Sequence, residues 1–375
     1  MSNSVPSTTR ELRTTVTADG QITLDVRETD LPAPGPDQVV VKIAAAPINP
    51  SDLGLLVANG DVSQATQGDG SVSMPIPAGL KMLSARFDQE LPAGNEGGGV
   101  VVAAGSSDAA QALLGKTVGF VSGDAYAEYR VVHHMGCLVM PDGTDPVDAA
   151  ASFVNPLTAL GMVETMRAEG HSALIHTVGA SNLGQMLQRI CDADGIDLVN
   201  IVRKPEHAEM LRSNGATHVV DSAAESFSAD LTEALRTTGA TIAFDAIGGG
   251  ELAGTILGKM EQVASEGATY SRYGSDTLKQ VYIYGGLDRS PTILNRTFGL
   301  SWSVSGWLLT PFLAKLGPDA QRLRDRVAAE ITTTFASTYG MRLSLDDTVL
   351  VENVQRYARM ATGDKAVVMP HGASS

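Results

Sequence analysis

From residue 173 to residue 284 the chain repeats one pattern: a short apolar run, a turn, and a stretch of helical period. Ala173-Leu174-Ile175-His176-Thr177-Val178 reads as a buried strand, and Leu183, Met186, Leu187, Ile190 and Cys191 then fall on one helix face. A strand over 198–202, a helix over 206–214 stopped by Gly215, and a short strand over 218–220 follow. A helix near Leu231, a strand over 241–246, a helix over 252–260 and, after a long loop, a strand over 281–284 complete the series. Parallel strands joined through helices wind in one hand only. This spacing therefore predicts an α/β region with a doubly wound parallel sheet.

The first of these strands runs into Gly179-Ala180-Ser181-Asn182-Leu183-Gly184. A glycine turn between strand and helix lets a pyrophosphate approach backbone N–H groups, and the helix N-terminus favours its charge. Gly179 and Gly184 hold the outer glycine positions, and Ser181 stands in the middle one. The same glycines would also serve a purely steric turn; the strand–turn–helix context favours a dinucleotide site. About 20 residues further on, an NAD site usually has Asp or Glu for the ribose hydroxyls. This chain has Arg203-Lys204 there. Two cations pair with a 2′-phosphate, so the expected cofactor is NADP(H). The alternative is a solvated pair at the start of the helix containing Glu206.

The flanking regions differ. Val39-Val40-Val41-Lys42-Ile43, residues 99–105, 117–121 and 127–132 read as strands with few helices between them, which predicts a compact, partly closed β unit. Residues 58–95 are rich in Gly, Pro and Ser and read as loops. Residues 321–331 and 349–360 read as helices and 366–369 as a closing strand that returns to the first unit. The expected division is 1–153, 154–311 and 312–375, the last returning to the first.

At 375 residues the chain is long enough for two or three domains. Lys and Arg number 27 against 42 Asp and Glu, a net charge of −15, which disfavours a nucleic-acid partner because phosphate binding needs a basic face. Two cysteines, Cys137 and Cys191, make neither a disulfide framework nor a cysteine-rich zinc lobe. The most hydrophobic stretch, 302–316, is broken by Ser303, Ser305, Gly306 and Pro311, so no membrane span is expected. Met1 to Arg10 lacks a signal-type apolar run, and the expected location is the cytoplasm.

Several segments together resemble a family. They are Ile48-Asn49-Pro50-Ser51-Asp52, Gly94-Asn95-Glu96-Gly97-Gly98-Gly99-Val100-Val101 and Gly123-Asp124-Ala125-Tyr126-Ala127-Glu128-Tyr129. Asn155-Pro156-Leu157-Thr158-Ala159, Phe244-Asp245-Ala246-Ile247-Gly248-Gly249 and Gly363-Asp364-Lys365-Ala366-Val367-Val368 follow in the same order. In order and spacing they resemble the zinc-free, NADPH:quinone oxidoreductase-like branch of the medium-chain dehydrogenases/reductases. The resemblance implies a Rossmann domain plus a GroES-like β-rich catalytic domain. It also implies cofactor contacts at Thr158, Asn182, Leu183, Ile247, Gly285 and Gly286, beside Gly179, Ser181, Gly184, Arg203 and Lys204. Zinc-dependent relatives carry Cys and His where this chain has Asn49 and Asn95, and Asp52 with Glu96 alone makes a poor zinc site, so no metal is expected. Residues 58–90 and 261–279 read as insertions; the second holds Tyr270, Arg272, Tyr273 and Lys279, as a surface loop or one that reaches the site.

Without a Lewis acid, alcohol oxidation is disfavoured, and acceptors that take hydride directly remain: quinones and alkenes conjugated to a carbonyl. Asn49 and Tyr126 are the candidates for one hydrogen bond to the acceptor, though Tyr126 reads first as a half-buried strand tyrosine. The leading expectation is NADPH-dependent reduction of a quinone-like small molecule by a homodimer. The alternatives are an enone or enoyl-thioester reductase and a non-catalytic NADP-binding protein.

Overall fold

The computed structural model describes residues 5–372. The chain divides into two compact units, one formed by Met1–Val154 with Arg324–Ser375, the other by Asn155–Leu323. The chain thus returns to its first unit at Arg324 rather than at 312, because the helix Leu309–Leu316 stays with the second.

In the second unit six parallel strands lie in the order His218–Asp221, Leu198–Val202, Leu174–Thr177, Ile242–Asp245, Lys279–Ile283, Trp302–Gly306. In chain order that is third, second, first, fourth, fifth, sixth, the winding of a dinucleotide-binding sheet with its reversal point between first and fourth. Ile175, Ala243 and Val281 align in register and point to one face, where they join Leu231, Leu235, Ile256 and Leu257 from two helices in one apolar cluster. His176, Phe244 and Tyr282 align on the other face. There the helix Val154–Ala168 lies close: a Cβ on Gly161 would meet the Trp307 indole at 2.8 Å, and Trp307 Nε1 donates to Thr165 Oγ1 at 3.0 Å.

The stretch 302–316, broken by Ser303, Ser305, Gly306 and Pro311, holds the strand Trp302–Gly306 and the helix Leu309–Leu316. Ser303 and Ser305 alternate with Trp302 and Val304, the period of two that a strand requires. The segment 261–279 also gains definition. The helix Leu252–Ala264 runs past the expected 260, and the loop after it is pinned by Lys279. Its buried ammonium donates to Glu261 Oε2 at 2.6 Å, to Ser275 Oγ at 3.0 Å and to the Thr277 carbonyl at 2.7 Å. Tyr270 and Tyr273 stand exposed on this loop, Arg272 stacked on the Tyr273 ring at 4.6 Å.

The first unit is built on antiparallel pairing. One sheet runs Thr66–Gln67, Ser71–Pro75, Gln21–Asp30, Thr8–Val16, Leu91–Pro92. The other runs Cys137–Val139, Thr117–Val121, Glu96–Ala104, Gln38–Pro47, Ala366–Val368, Met341–Leu343, with Tyr129–His133 also paired to Gln38–Pro47. Their inner faces share one cluster that includes Leu12, Ile22, Val41, Phe120, Tyr126 and Val368. The closing strand does return: Val367 and Val368 pair antiparallel with Pro47 and Ala46. Residues 58–95 are less irregular than expected, since Ser71–Pro75 pairs with Gln21–Asp30 through buried Val72 and Met74.

Candidate nucleotide turn and polar core

In the second unit the strand Leu174–Thr177 ends at Val178, whose φ of 61° puts a β-branched residue in the left-handed region. The turn is closed by Gly179 N–H donating to the Ile201 carbonyl at 3.0 Å and Ser181 N–H donating to the Val178 carbonyl at 2.9 Å. Ser181 then caps the helix Asn182–Asp194, its Oγ accepting from Gly184 N–H at 3.0 Å. The serine in the middle glycine position is thus a helix cap. Gly184 is demanded by the turn itself: a Cβ there would meet the Gly179 carbonyl oxygen at 2.3 Å. A Cβ on Gly179 would meet Asn200 Oδ1 at 2.6 Å.

Arg203 and Lys204 follow the neighbouring strand, both exposed, with Lys204 as N-cap residue of the helix Pro205–Ser213. Lys204 Nζ stands 3.9 Å from Glu206 Oε1, both well exposed, a contact worth little in water.

At the carboxyl ends of the first and fourth strands, Thr177 Oγ1 donates to Asp245 Oδ1 at 2.9 Å and accepts from Ala246 N–H at 2.8 Å. Asp245 also accepts from Ile247 N–H at 2.9 Å and from Gly248 N–H at 3.1 Å. Ile247 is thereby held half-buried on the loop after the strand. Thr158 is buried in the helix Val154–Ala168. Gly285 packs on Ala246, whose carbonyl oxygen a Cβ would meet at 2.6 Å, while Gly286 faces open space. Sequence reading missed the pair beside them. His176, fully buried, lies 2.7 Å by its Nε2 from the Tyr284 hydroxyl, and its Nδ1 has no hydrogen-bond partner. Burial holds the imidazole down at about 3, neutral at any ordinary pH, and pushes the phenol up. A lone histidine inside an apolar strand was the available signal.

In the first unit the candidates Asn49 and Tyr126 are both buried. Asn49 Nδ2 donates to Glu96 Oε1 at 2.9 Å, and Glu96 Oε2 accepts from Phe153 N–H at 2.8 Å and Val154 N–H at 3.0 Å. Asp52 accepts from Asn49 N–H at 2.8 Å and Asn95 N–H at 2.9 Å, tying two loops together. The Tyr126 hydroxyl donates to the Pro47 carbonyl at 3.1 Å, and its ring sits in the core. Asn95 Nδ2 donates to Ser51 Oγ at 3.0 Å. Burial lifts the Asp52 carboxyl to about 6 against the pull of the two N–H donors. Burial likewise lifts Glu96 and lowers the Lys365 ammonium to about 8, each shift opposed by the other group's charge. Among the described residues, no three of His, Cys, Asp and Glu gather as metal ligands would.

No family model matches the sequence. A quinone oxidoreductase of Pseudomonas aeruginosa is 27% identical over 158 residues, 41% of this chain and 48% of that protein. The mitochondrial enoyl-[acyl-carrier-protein] reductase of Bos taurus is 28% identical over 212 residues, 52% of this chain and 48% of that protein. The chain thus spans about half the length of these curated relatives. A solved structure of a Mesorhizobium loti protein assigned as an NADPH:quinone reductase superposes with a TM-score of 0.74 at 25% identity, covering 98% of this chain and 100% of that one. A six-stranded sheet wound in dinucleotide order and an antiparallel unit closed by the chain's return make this chain similar, along nearly its whole length, to NADPH:quinone oxidoreductases of the medium-chain dehydrogenase/reductase family.

Proposed function

We propose that the protein is an NADPH-dependent oxidoreductase that reduces a quinone-like small molecule without a metal. The observation that carries this is the glycine turn with two exposed cations, Arg203 and Lys204, at the end of the adjacent strand. The turn fits a dinucleotide: Gly179 and Gly184 keep it free of side chains, and Ser181 caps the helix that starts there. Arg203 and Lys204 fit a 2′-phosphate, having no strong partner of their own to give up. Thr158, Asn182, Leu183, Ile247, Gly285 and Gly286 complete the proposed cofactor contacts. When bound, NADPH supplies a hydride from its dihydronicotinamide ring and leaves as NADP+.

The metal-free reading rests on donor chemistry. Asn49 and Asn95 offer amides, and the Asp52 and Glu96 carboxylates are already committed to backbone N–H groups. Asn49 and Tyr126 were the expected catalytic pair. We assign them instead to holding the first unit together, because the amide N–H of one and the hydroxyl of the other are spent internally.

The test is NADPH oxidation with a simple benzoquinone, a small enone and an enoyl thioester, compared by kcat/KM. A preference of about a hundredfold or more for either alkene overturns the quinone assignment and promotes the second reading, which the name of the Bos taurus relative favours. No turnover with any acceptor, with NADPH still bound, leaves a nucleotide-binding protein.

We further propose a homodimer joined along Trp302–Gly306. This outermost strand pairs with Lys279–Ile283 on one side only and carries no Lys, Pro or other blocking residue. Sedimentation at one chain's mass, or a dimer that survives Val304→Pro, refutes it. No helix among the described residues is long and apolar enough to cross a membrane, and we place the protein in the cytoplasm. Recovery with a membrane fraction after cell breakage would refute that.

A further inference from the structure

Tyr284 and His176 meet at the carboxyl edge of the parallel sheet, where strand-end ligands bind. His176 is the third residue of the first strand, Leu174–Thr177, and Tyr284 directly follows the fifth, Lys279–Ile283. They share the sheet face of Phe244 and Tyr282, which the helix bearing Thr158 approaches through Gly161. Gly285 and Gly286, proposed cofactor contacts, come next in the chain.

The single hydrogen bond between them can be written two ways. If Tyr284 donates to Nε2, the imidazole proton sits on Nδ1, which has no partner in the protein interior. An orphaned buried N–H is the costlier defect; an unpaired acceptor is tolerated better. The stable tautomer therefore carries its proton on Nε2 and donates to the Tyr284 oxygen. That leaves the phenolic hydrogen uncommitted. Tyr284 as a residue is half-buried, with its hydroxyl against the buried His176 ring at the strand end from which Gly285 and Gly286 follow. No positive group of the sheet edge is bonded to the pair; Asp245 is the nearby charge, and it disfavours a tyrosinate.

We propose that Tyr284 donates its phenolic hydrogen bond to the carbonyl oxygen of the hydride acceptor, with His176 as the positioning residue that holds the phenol by Nε2–H. This rests on the NADPH-dependent reductase reading. A quinone that gains hydride becomes a hydroquinone monoanion, with the added electron pair delocalised onto oxygen. Tyr284 shares its hydrogen with that oxygen and keeps its proton, since desolvation and the nearby Asp245 both disfavour a tyrosinate there. Water supplies the one proton that completes the hydroquinone. A positioned donor to developing oxyanion charge is worth roughly 10²–10³ in rate at the upper end.

The experiment has an arm independent of turnover. Nitrogen-15 NMR of the free protein reports which ring nitrogen of His176 is protonated. Nε2–H is expected; Nδ1–H overturns the proposal, because the Tyr284 proton is then spent on the ring. The second arm compares kcat for benzoquinone with kcat for a phenazinium cation, a hydride acceptor without oxygen. Tyr284→Phe is expected to lower the benzoquinone-to-phenazinium ratio by about 10- to 100-fold with NADPH affinity retained. His176→Leu should lower it similarly, and His176→Gln, which keeps an N–H at that place, should recover most of the loss. An unchanged ratio in Tyr284→Phe overturns the proposal alone. A wild type that reduces neither acceptor overturns the reductase reading and this proposal with it.

Discussion

The polar core of the first unit and the nucleotide turn of the second treat their motif residues in opposite ways. In the first, the Asn49 amide N–H, Asp52, Glu96 and the Tyr126 hydroxyl are bonded to one another or to backbone groups. In the second, glycines hold side chains away from the turn, and Arg203 and Lys204 are left in solvent. Polar residues with internal partners stabilise loops. Polar residues without them, beside a surface kept clear, suit a ligand. A motif therefore announces chemistry only once its partners are known.

The contrast breaks most severely at Glu96. Glu96→Leu should destabilise the protein by about 3–5 kcal/mol, since it strips partners from Asn49 and two N–H groups and leaves buried Lys365 with Asp52 alone as nearby negative charge. Denaturant unfolding measures it; a loss under 1 kcal/mol would mean that the cluster is not structural.

The second unit should show the reverse. Arg203→Ala with Lys204→Ala should leave unfolding within about 0.5 kcal/mol of wild type. The same pair should weaken NADPH roughly 10- to 100-fold, with NADH nearly unaffected. Calorimetry with both nucleotides decides, and an unaltered NADPH preference removes the cations from the site. Gly184→Val is the poorer probe, because its Cβ would strike the Gly179 backbone and disturb the turn with or without ligand.

Tyr126→Phe should cost about 1–3 kcal/mol by stranding the Pro47 carbonyl, and less than tenfold in turnover. A hundredfold fall in kcat with stability intact would return Tyr126 to the reaction.

The mildest effect is with pH. Asp52 binds its proton more tightly folded, at about 6, than at its ordinary 3.8, with Glu96, Tyr126 and Lys365 around it. Its stabilising contribution is thus complete below about pH 4 and fades as pH rises through about 6. Asp52→Asn should flatten that part of the stability profile. An identical slope in the variant would assign the titration to a neighbour.

Much of the second unit was legible because period carries it. The helix Asn182–Asp194 shows its apolar stripe, and Leu198–Val202 is apolar but for Asn200. Trp302–Gly306 escaped because its alternation is short and abuts an apolar helix. Met341–Leu343 is three residues long and leaves almost no pattern. In the polar core the residue types were visible but their partners were not. Glu96 is held by N–H groups of Phe153 and Val154, 57 and 58 residues away, and a backbone N–H has no letter in the sequence. His176 and Tyr284, 108 residues apart, were hidden for the same reason.

The strand Ala366–Val368 lies against Gln38–Pro47, which leaves the ribosome hundreds of residues earlier. At roughly 5–20 residues per second, the early strand waits on the order of 15–60 s with that edge unfilled. The other unit, Asn155–Leu323, is continuous and has all its strands in hand before then. The unit that begins first must finish last, and its open edge during synthesis is where a nascent chain of this protein is most exposed to mispairing.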